Sequence, residues 1–322
     1  MNGRASPACG VPARVWSGLR EKYSFSYNLV LLAWRRPIAQ DVRGKSRKET
    51  SVRTAAPEGI SSTPLHRHDG GALAVVFLHG IGGAARAWAP QIAAFKAAGL
   101  HPVALDLPGY GARPAVDTMD FEALAADLEA TIERLGLERP ALVGHSMGGM
   151  IAQTAMRRRP DGYCAAVLVG TSPAFGDSRG EFQKKFIADR LGPLEAGATM
   201  PELAVSIVDG IMGPNPDASG RALAIDTMAA TPASTYRAAI KCIVTFDERA
   251  NLPNIGVPVL CLVGEHDRNA PPPMMERMAA KIPGARYLCL SGAGHLPNLE
   301  TPAAFNAAVR ALLLDTQSAA RA

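Results

Sequence analysis

The residue pattern in this chain that most clearly indicates chemistry is Gly-His-Ser-Met-Gly at residues 144–148. An apolar run at 140–143 precedes it, and residues 147–159 follow with apolar side chains at helical spacing. A serine hydroxyl is a weak nucleophile unless it is exposed and has a base and hydrogen-bond donors beside it. A sharp turn from strand to helix would expose Ser146 and would aim the N–H of Met147 at a developing negative charge. The pattern therefore predicts Ser146 as a nucleophile.

A candidate acid and a candidate base follow two later apolar runs, at residues 257–263 and 285–290. Asp267 comes after the first run, and His295 comes after the second. Because the carboxyl ends of parallel strands meet at one edge of a sheet, we expect both side chains to lie near Ser146. His295 would accept the Ser146 proton and return it to the leaving group. Asp267 would orient the imidazole and stabilise its charged form.

Less specific interpretations of these residues stay open. Asp267 is also compatible with an ordinary turn carboxylate, His295 with a surface loop, and Glu265 is a rival acid two residues before Asp267. His66 and His68 form a His-x-His pair that could place two metal ligands on one strand face, but no third ligand is evident. We therefore expect no metal site.

A glycine-rich loop at residues 79–83, His-Gly-Ile-Gly-Gly, directly follows a predicted strand at 73–78. Beside a nucleophilic serine of this kind, the first strand-to-helix loop supplies a second oxyanion donor, here the backbone N–H of Ile81. The competing interpretation is a dinucleotide site, because residues 80–85 match a glycine-rich fingerprint and Asp106 could bind a ribose. That interpretation leaves the serine, the aspartate and the histidine described above unexplained.

Five segments of the chain together resemble the α/β-hydrolase family, in its group of small soluble serine hydrolases. They are His-Gly-Ile-Gly-Gly at 79–83, Asp-Leu-Pro-Gly-Tyr-Gly at 106–111, Gly-His-Ser-Met-Gly-Gly at 144–149, Gly-Glu-His-Asp at 264–267 and Gly-Ala-Gly-His-Leu-Pro-Asn-Leu-Glu at 292–300. The resemblance covers residues 62–316 of the chain. It implies an α/β fold, with a mostly parallel, doubly wound sheet and a helical cap inserted after the sixth strand.

The resemblance also implies the residues of the site and the absence of a cofactor. These residues are catalytic Ser146, Asp267 and His295, and the oxyanion-hole donors Ile81 and Met147. Serine as the nucleophile argues against the family's haloalkane dehalogenases and epoxide hydrolases, which carry aspartate there. One departure concerns the start of the sheet. Family members usually have two strands before the strand that leads into the His-Gly loop, whereas only residues 63–68 form a convincing strand there.

The chain divides into four predicted parts. Residues 1–56 are a basic, disordered N-terminal extension, residues 57–172 and 256–316 are the α/β-hydrolase core, residues 173–255 are the helical cap, and residues 317–322 are a C-terminal tail. The extension is also compatible with a targeting segment or with a start site assigned too early. The cap is predicted because about 85 residues separate two predicted strands, far more than a plain connection needs.

Ten apolar side chains of the cap could either pack against the core or line a pocket. They are Phe182, Phe186, Ile187, Leu203, Ile207, Val208, Ile211, Met212, Met228 and Ile240. Methionines would give such a pocket an adaptable lining.

The positive charge of the chain belongs to its first part. Residues 1–56 hold 11 Lys and Arg against 3 Asp and Glu, whereas residues 57–322 hold 23 against 26. The predicted fold therefore gives no reason to expect nucleic acid as a partner. No apolar run reaches the ~20 residues of a membrane span. The five cysteines show no Cys-x-x-Cys spacing, which is typical of reduced core residues in a cytoplasmic protein.

We therefore expect an enzyme that cleaves a small, largely hydrophobic carboxylic ester or lactone through an acyl-enzyme intermediate. Its partner would be that small molecule, and neither nucleic acid nor a membrane. Three related activities would use the same triad: carbon–carbon bond hydrolysis of ring-cleavage products, thioester hydrolysis and cofactor-free haloperoxidation. A non-catalytic binding member of the fold and a dinucleotide-binding protein are the alternatives from a different class.

Overall fold

The computed structural model describes residues 72–175 and 180–321, with side chains described to residue 316. The predicted extension at 1–56, the predicted strand at 63–68 and the His66–His68 pair lie outside the described residues. The described residues all belong to one compact unit.

A parallel sheet forms the centre of the described part. Its six strands are β1 (Ala74–Leu78), β2 (His101–Leu105), β3 (Ala141–His145), β4 (Ala166–Val169), β5 (Val259–Gly264) and β6 (Arg286–Leu290). Their order across the sheet is β2-β1-β3-β4-β5-β6, and every neighbouring pair is parallel. The four inner strands are buried along their whole length, which is why their sequences are continuous apolar runs.

Within the described ranges, ten α-helices accompany the sheet. They are α1 (Ala89–Ala97), α2 (Phe121–Arg134), α3 (Met147–Arg158), α4 (Glu181–Glu195), α5 (Met200–Ile211), α6 (Ala218–Ala229), α7 (Ala233–Ile243), α8 (Pro272–Ala279), α9 (Pro297–Glu300) and α10 (Pro302–Arg321). Two short 3₁₀ helices lie at Ala85–Trp88 and Leu252–Asn254. Among the described residues, no helix is both long and apolar enough to cross a membrane.

Helices cover both faces of the sheet, because alternate residues of each inner strand point to opposite sides. On one face, α1 and α10 pack on the strands through Phe95 and Phe305, and Phe77 of β1 contacts Trp88 and Phe95 with ring centroids 5.0 and 5.3 Å apart. On the other face, α2, α3 and α8 bury their apolar sides, for example at Leu128. The fold is therefore the doubly wound α/β arrangement that the family resemblance implies.

The helical cap consists of α4–α7 and follows β4. Strand β4 is the fourth described strand, and it is the sixth when the two leading strands usual in the family are counted. A third apolar cluster joins the cap helices to one another through side chains such as Leu191, Val208 and Met228. The same cluster includes Ala87 and Leu299 from outside the cap, so the cap packs directly on the core.

The predicted C-terminal tail at residues 317–322 begins within helix α10, which spans Pro302–Arg321. Helix α10 continues to Arg321, so the backbone of 317–321 extends the helix. The reason is that this segment, Gln-Ser-Ala-Ala-Arg, contains no glycine or proline to end a helix that Phe305, Val309 and Leu313 already anchor in the core.

Candidate active site

Loops that follow strands β1, β3, β5 and β6 meet at one edge of the sheet. The strand register aligns Leu78 with Gly144, Val169 with Leu262, and Gly264 with Leu290. Each strand therefore ends at nearly the same level, and the residues that follow are brought to a common edge. This is the placement that parallel strands predict for Ser146, Asp267 and His295.

Ser146 occupies a strained turn between β3 and α3. Its backbone angles are φ 51° and ψ −116°, a combination that is sparsely populated by residues other than glycine. Hydrogen bonds hold the backbone there: the Ser146 N–H donates to Val169 O at 2.9 Å, and the Thr171 hydroxyl donates to Ser146 O at 2.8 Å. Ser146, which is half-buried, therefore lies at the edge of the sheet, immediately before helix α3.

Two glycines allow this turn to form. A methyl group on Gly144 would overlap the carbonyl of Gly148, and a methyl group on Gly148 would overlap the carbonyl of Leu78. The close approach of α3 to β1 and β3 therefore requires glycine on both sides of the serine, as the motif predicts.

Asp267 and His295 form a buried, hydrogen-bonded pair. The ring atom Nδ1 of His295 lies 2.8 Å from Oδ2 of Asp267, and both residues are less than a tenth exposed. The other carboxylate oxygen, Oδ1, accepts the N–H groups of Asn269 and Ala270 at 2.8 and 2.9 Å. Because an ionised carboxylate only accepts hydrogen bonds, Nδ1 carries the proton, and Nε2 of a neutral His295 is left with a free lone pair.

Further contacts place this pair beside Ser146. His145, the residue before the serine, has its ring 4.8 Å from the His295 ring, and its Nε2 donates to His295 O at 2.7 Å. A methyl group on Gly80 would lie 2.9 Å from both His145 Nδ1 and Ser146 Cβ. Among the described residues, no hydrogen bond joins the Ser146 hydroxyl to His295. Such bonds often tighten only in the substrate complex.

Burial keeps the His145 ring neutral. Burial, together with a smaller effect of the neighbouring His295, lowers the pKa of His145 to about 3, while the hydrogen bond to the His295 carbonyl opposes the shift. A neutral ring with its proton on Nε2 is a fixed donor to the backbone of His295.

Glu265, the rival acid, lies in a different environment. Its carboxylate accepts the Ser291 hydroxyl at 2.7 Å and the Gly292 N–H at 3.0 Å, and these bonds lower the pKa of Glu265. Because His295 Nδ1 contacts Asp267 and not Glu265, the geometry favours Asp267 as the partner of the imidazole.

Two backbone N–H groups are the candidate oxyanion donors, one in the loop after β1 and one at the start of α3. Met147 is the first residue of α3, so its N–H has no acceptor within the helix. Ile81 lies in the tight turn after β1, in which Gly83 N–H donates to Gly80 O at 3.0 Å. The two residues that the sequence predicts as oxyanion donors therefore lie in the turn after β1 and at the start of α3.

His79 holds the base of this loop. Its Nδ1 donates to Gly80 O at 2.8 Å, and its Nε2 accepts the N–H of Leu107 at 3.1 Å. Burial lowers the pKa of His79 to about 4, so the ring is neutral and both of its nitrogens are used in binding the backbone. The sequence did not single out this role, which depends on contacts between two loops.

Asp106 is the residue that would bind a ribose if the chain were a dinucleotide-binding protein. It instead forms hydrogen bonds within the protein. Its Oδ1 accepts the N–H of Ala85 at 2.6 Å and so fixes the start of the 3₁₀ helix, while its backbone carbonyl accepts Arg113 Nη1 at 2.9 Å. A methyl group on Gly111 would overlap its carboxylate. A carboxylate enclosed in this way is poorly placed to bind a ribose.

A small, mostly apolar cavity opens beside the loop that follows β1. Residues of the loop, the cap and the His295 loop line it, including Ile81, Val208, Ile211, Met228 and Leu296. Three of these five side chains come from the cap, so the cap forms one wall of the space next to Ile81, one of the two predicted oxyanion donors.

Among the ten apolar cap residues, some serve both predicted roles and one serves neither. Val208, Met228 and Ile240 are buried in the cap cluster, and Val208 and Met228 also line the cavity. Phe182 does neither, because its side chain is 68% exposed. Among the described residues, no group of His, Cys, Asp and Glu could hold a metal ion.

A doubly wound parallel sheet, a serine on a strained strand-to-helix turn and a buried Asp–His pair at the same edge define the α/β-hydrolase arrangement. The sequence model described as "Alpha/beta hydrolase family" matches residues 75–308, and the chain belongs to this family.

Several relatives and solved structures are similar over most of their length. The "Putative non-heme bromoperoxidase BpoC" of Mycobacterium tuberculosis is 32% identical over 245 residues, which cover 73% of this chain and 91% of the relative. A solved enol-lactonase from Burkholderia xenovorans is 26% identical with a TM-score of 0.68, covering 77% of this chain and 94% of that one. The "Putative carbamate hydrolase RutD" of Pseudomonas syringae is 28% identical, over 74% of this chain and 93% of the relative.

Proposed function

We propose that the protein is a serine hydrolase that cleaves a small, largely hydrophobic carboxylic ester or lactone through an acyl-enzyme intermediate. The observation that carries this proposal is the buried Asp267–His295 pair, with Nδ1 and Oδ2 2.8 Å apart, beside a serine held at φ 51°. The enol-lactonase similarity and the mostly apolar cavity support this substrate class.

In the proposed first step, His295 Nε2 accepts the Ser146 proton as the hydroxyl oxygen attacks the carbonyl carbon. The N–H groups of Ile81 and Met147 donate to the oxygen that becomes negative. His295 then gives its proton to the leaving alcohol oxygen, which in a lactone stays on the same molecule. Asp267 keeps the proton of the imidazole on Nδ1 and stabilises the imidazolium.

In the second step, His295 accepts a proton from water while the water oxygen attacks the acyl carbon. The ester bond to Ser146 breaks, and the proton returns to the serine oxygen. The products are a carboxylic acid and the free enzyme, so no cofactor is consumed and none is proposed.

A panel of p-nitrophenyl esters of graded acyl length, simple lactones and an enol-lactone tests the proposal. We expect kcat/KM to be highest for short to medium apolar acyl groups or for a lactone. Ser146→Ala is expected to lower turnover by at least about three orders of magnitude, because nothing else in the site can form the acyl-enzyme. Turnover within tenfold of the unsubstituted protein would remove Ser146 from the mechanism.

A second candidate activity is cofactor-free haloperoxidation, favoured by the name of the 32% identical relative. The same acyl-enzyme would be attacked by hydrogen peroxide instead of water, which releases a peracid that oxidises bromide. Bromination that needs both peroxide and a carboxylic acid, and that disappears with Ser146→Ala, would support this candidate.

We also propose that the enzyme acts in the cytoplasm on a small molecule, with no nucleic acid or membrane as partner. Cys242 and Cys261 support this proposal, because both are buried thiols that form no disulfide.

A further inference from the structure

We infer that Glu300 is a positioning residue that fixes His295 in its working place and fastens the cap to the same loop. The inference rests on the proposed function, since it assigns to Glu300 an effect on the step that His295 performs. Glu300 lies at the end of the short helix α9 and is 3% exposed.

The carboxylate of Glu300 binds the backbone on both sides of His295. Its Oε2 accepts the N–H of Gly294 at 2.8 Å, and its Oε1 accepts the N–H of Leu296 at 2.8 Å. The N–H of His295 itself donates to Ile211 O at 2.8 Å. Three consecutive backbone N–H groups around the candidate base are therefore each held by a buried acceptor.

The same carboxylate also reaches the cap. Oε2 accepts the N–H of Gly213, which follows helix α5, at 2.6 Å, and Ile211 O at the end of that helix holds His295 N–H. A methyl group on Gly213 would overlap Gly292 O, and one on Gly294 would overlap Gly213 N. The backbones of the cap and of the His295 loop are therefore in direct contact, and the carboxylate of Glu300 forms hydrogen bonds with both.

A buried carboxylate needs either a cation or several donors, because desolvation of its charge is costly. Among the described residues, Glu300 has no ion pair, and its charge is balanced by three N–H groups. Charge-assisted bonds of this kind are short and directional. Removing one of them leaves a buried N–H without an acceptor, so the loop must move.

Movement of the loop would displace Nε2 of His295, the atom that accepts the Ser146 proton in the proposed mechanism. Misplacement of a reacting group by about 1 Å can cost on the order of 10²-fold in rate. The Asp267 contact orients the ring of His295, but it does not fix the backbone from which the ring extends. We therefore expect a loss in kcat with little change in KM when Glu300 is altered.

Glu300→Gln is the first test, because it keeps shape and one acceptor oxygen but presents an amide to at least one N–H. We expect kcat for the best ester or lactone to fall about 10- to 100-fold, with KM within about threefold. Glu265→Gln is the matched control. Glu265 also binds a backbone N–H of this loop, at Gly292, but not one next to His295, so kcat should stay within about threefold. Equal kcat values for the two variants would overturn the inference.

Gly213→Ala disturbs the same junction from the cap and leaves Glu300 intact. We expect it to lower kcat in the same direction. Gly210→Ala, in helix α5 just before Gly213, is the control. Nothing lies within 4 Å of the added methyl group, so this variant should keep the unsubstituted kcat. If Glu300→Gln does not fold, the comparison of Gly213→Ala with Gly210→Ala tests the inference in its place. Equal kcat values for these two variants would contradict the inference.

Amide hydrogen exchange gives a readout that does not depend on activity. In Glu300→Gln, exchange should accelerate in the peptide that contains Gly294 and Leu296, while the strands keep their protection. Uniform acceleration over the whole chain would show a merely structural role and would overturn the inference. If the unsubstituted protein hydrolyses no ester or lactone, the proposed function fails, and the exchange result alone decides for Glu300.

Discussion

At the scale of single residues, the site depends on which carboxylate contacts the imidazole. Asp267 does so through Oδ2, and its Oδ1 is fixed by the N–H groups of Asn269 and Ala270. This fixed carboxylate selects the ring form in which Nδ1 carries the proton. A neutral amide in the same place would reverse that selection, since its NH₂ group can only donate to the ring.

Asp267→Asn is therefore expected to lower kcat/KM by about 10³- to 10⁴-fold, because Oδ1 keeps its backbone donors while the NH₂ group forces the wrong tautomer of His295. Kinetics of the best substrate at neutral pH measure the effect, with circular dichroism to check folding. Glu265→Gln should cost less than about threefold. A severe loss in Glu265→Gln with a mild one in Asp267→Asn would reassign the acid.

At the scale of elements, the turn between β3 and α3 depends on close approach of backbones. Gly148 packs against the carbonyl of Leu78, which is part of β1 and cannot move aside easily. Gly210 in α5 is also helical, but nothing lies within 4 Å of a methyl group added there. The two glycines therefore separate the effect of packing from that of helix propensity.

Gly148→Ala is expected to destabilise the protein by more than about 2 kcal/mol, since either strand or helix must shift. Gly210→Ala should be neutral or stabilising by up to about 1 kcal/mol, because alanine favours the helix. Urea unfolding of the two variants gives the comparison. Equal unfolding midpoints would mean that the packing at Gly148 is looser than described here.

The sequence predicted the elements that carry a local signal. The inner strands are continuous apolar runs, and Gly144 and Gly148 mark the turn, so strands β3 and β5 and the placement of Ser146 follow from pattern alone. The role of Glu300 could not be predicted in this way. Its partner Leu296 is 4 residues distant, but its partner Gly213 is 87 residues distant. Only the packing of the cap on the core brings Gly213 to Glu300.

At the scale of the whole molecule, two buried histidines make folding sensitive to acid. Burial lowers the pKa of His79 to about 4 and that of His145 to about 3. The unfolded chain binds a proton at each ring below the ordinary value of about 6.5, whereas the folded protein does not. The free energy of unfolding therefore falls as pH drops from about 6.5 towards 4.

Each ring contributes up to about 1.4 kcal/mol per pH unit in that interval, so we expect a loss of a few kcal/mol between pH 6.5 and 4.5. Urea unfolding at several pH values measures the slope. His145→Asn removes one of the two rings and should make the slope shallower, whereas His266→Gln, at an exposed position, should not. A slope unchanged by His145→Asn would contradict the burial argument.

The most direct test of the central claim, an acyl-enzyme formed at Ser146, is covalent labelling of the intact protein with a fluorophosphonate. The reagent reacts with an activated serine hydroxyl and mimics the tetrahedral intermediate. The account predicts one label per chain, located at Ser146 by peptide mapping, slowed by substrate and absent in Ser146→Ala. An unlabelled protein, or a label that persists in Ser146→Ala, would contradict it.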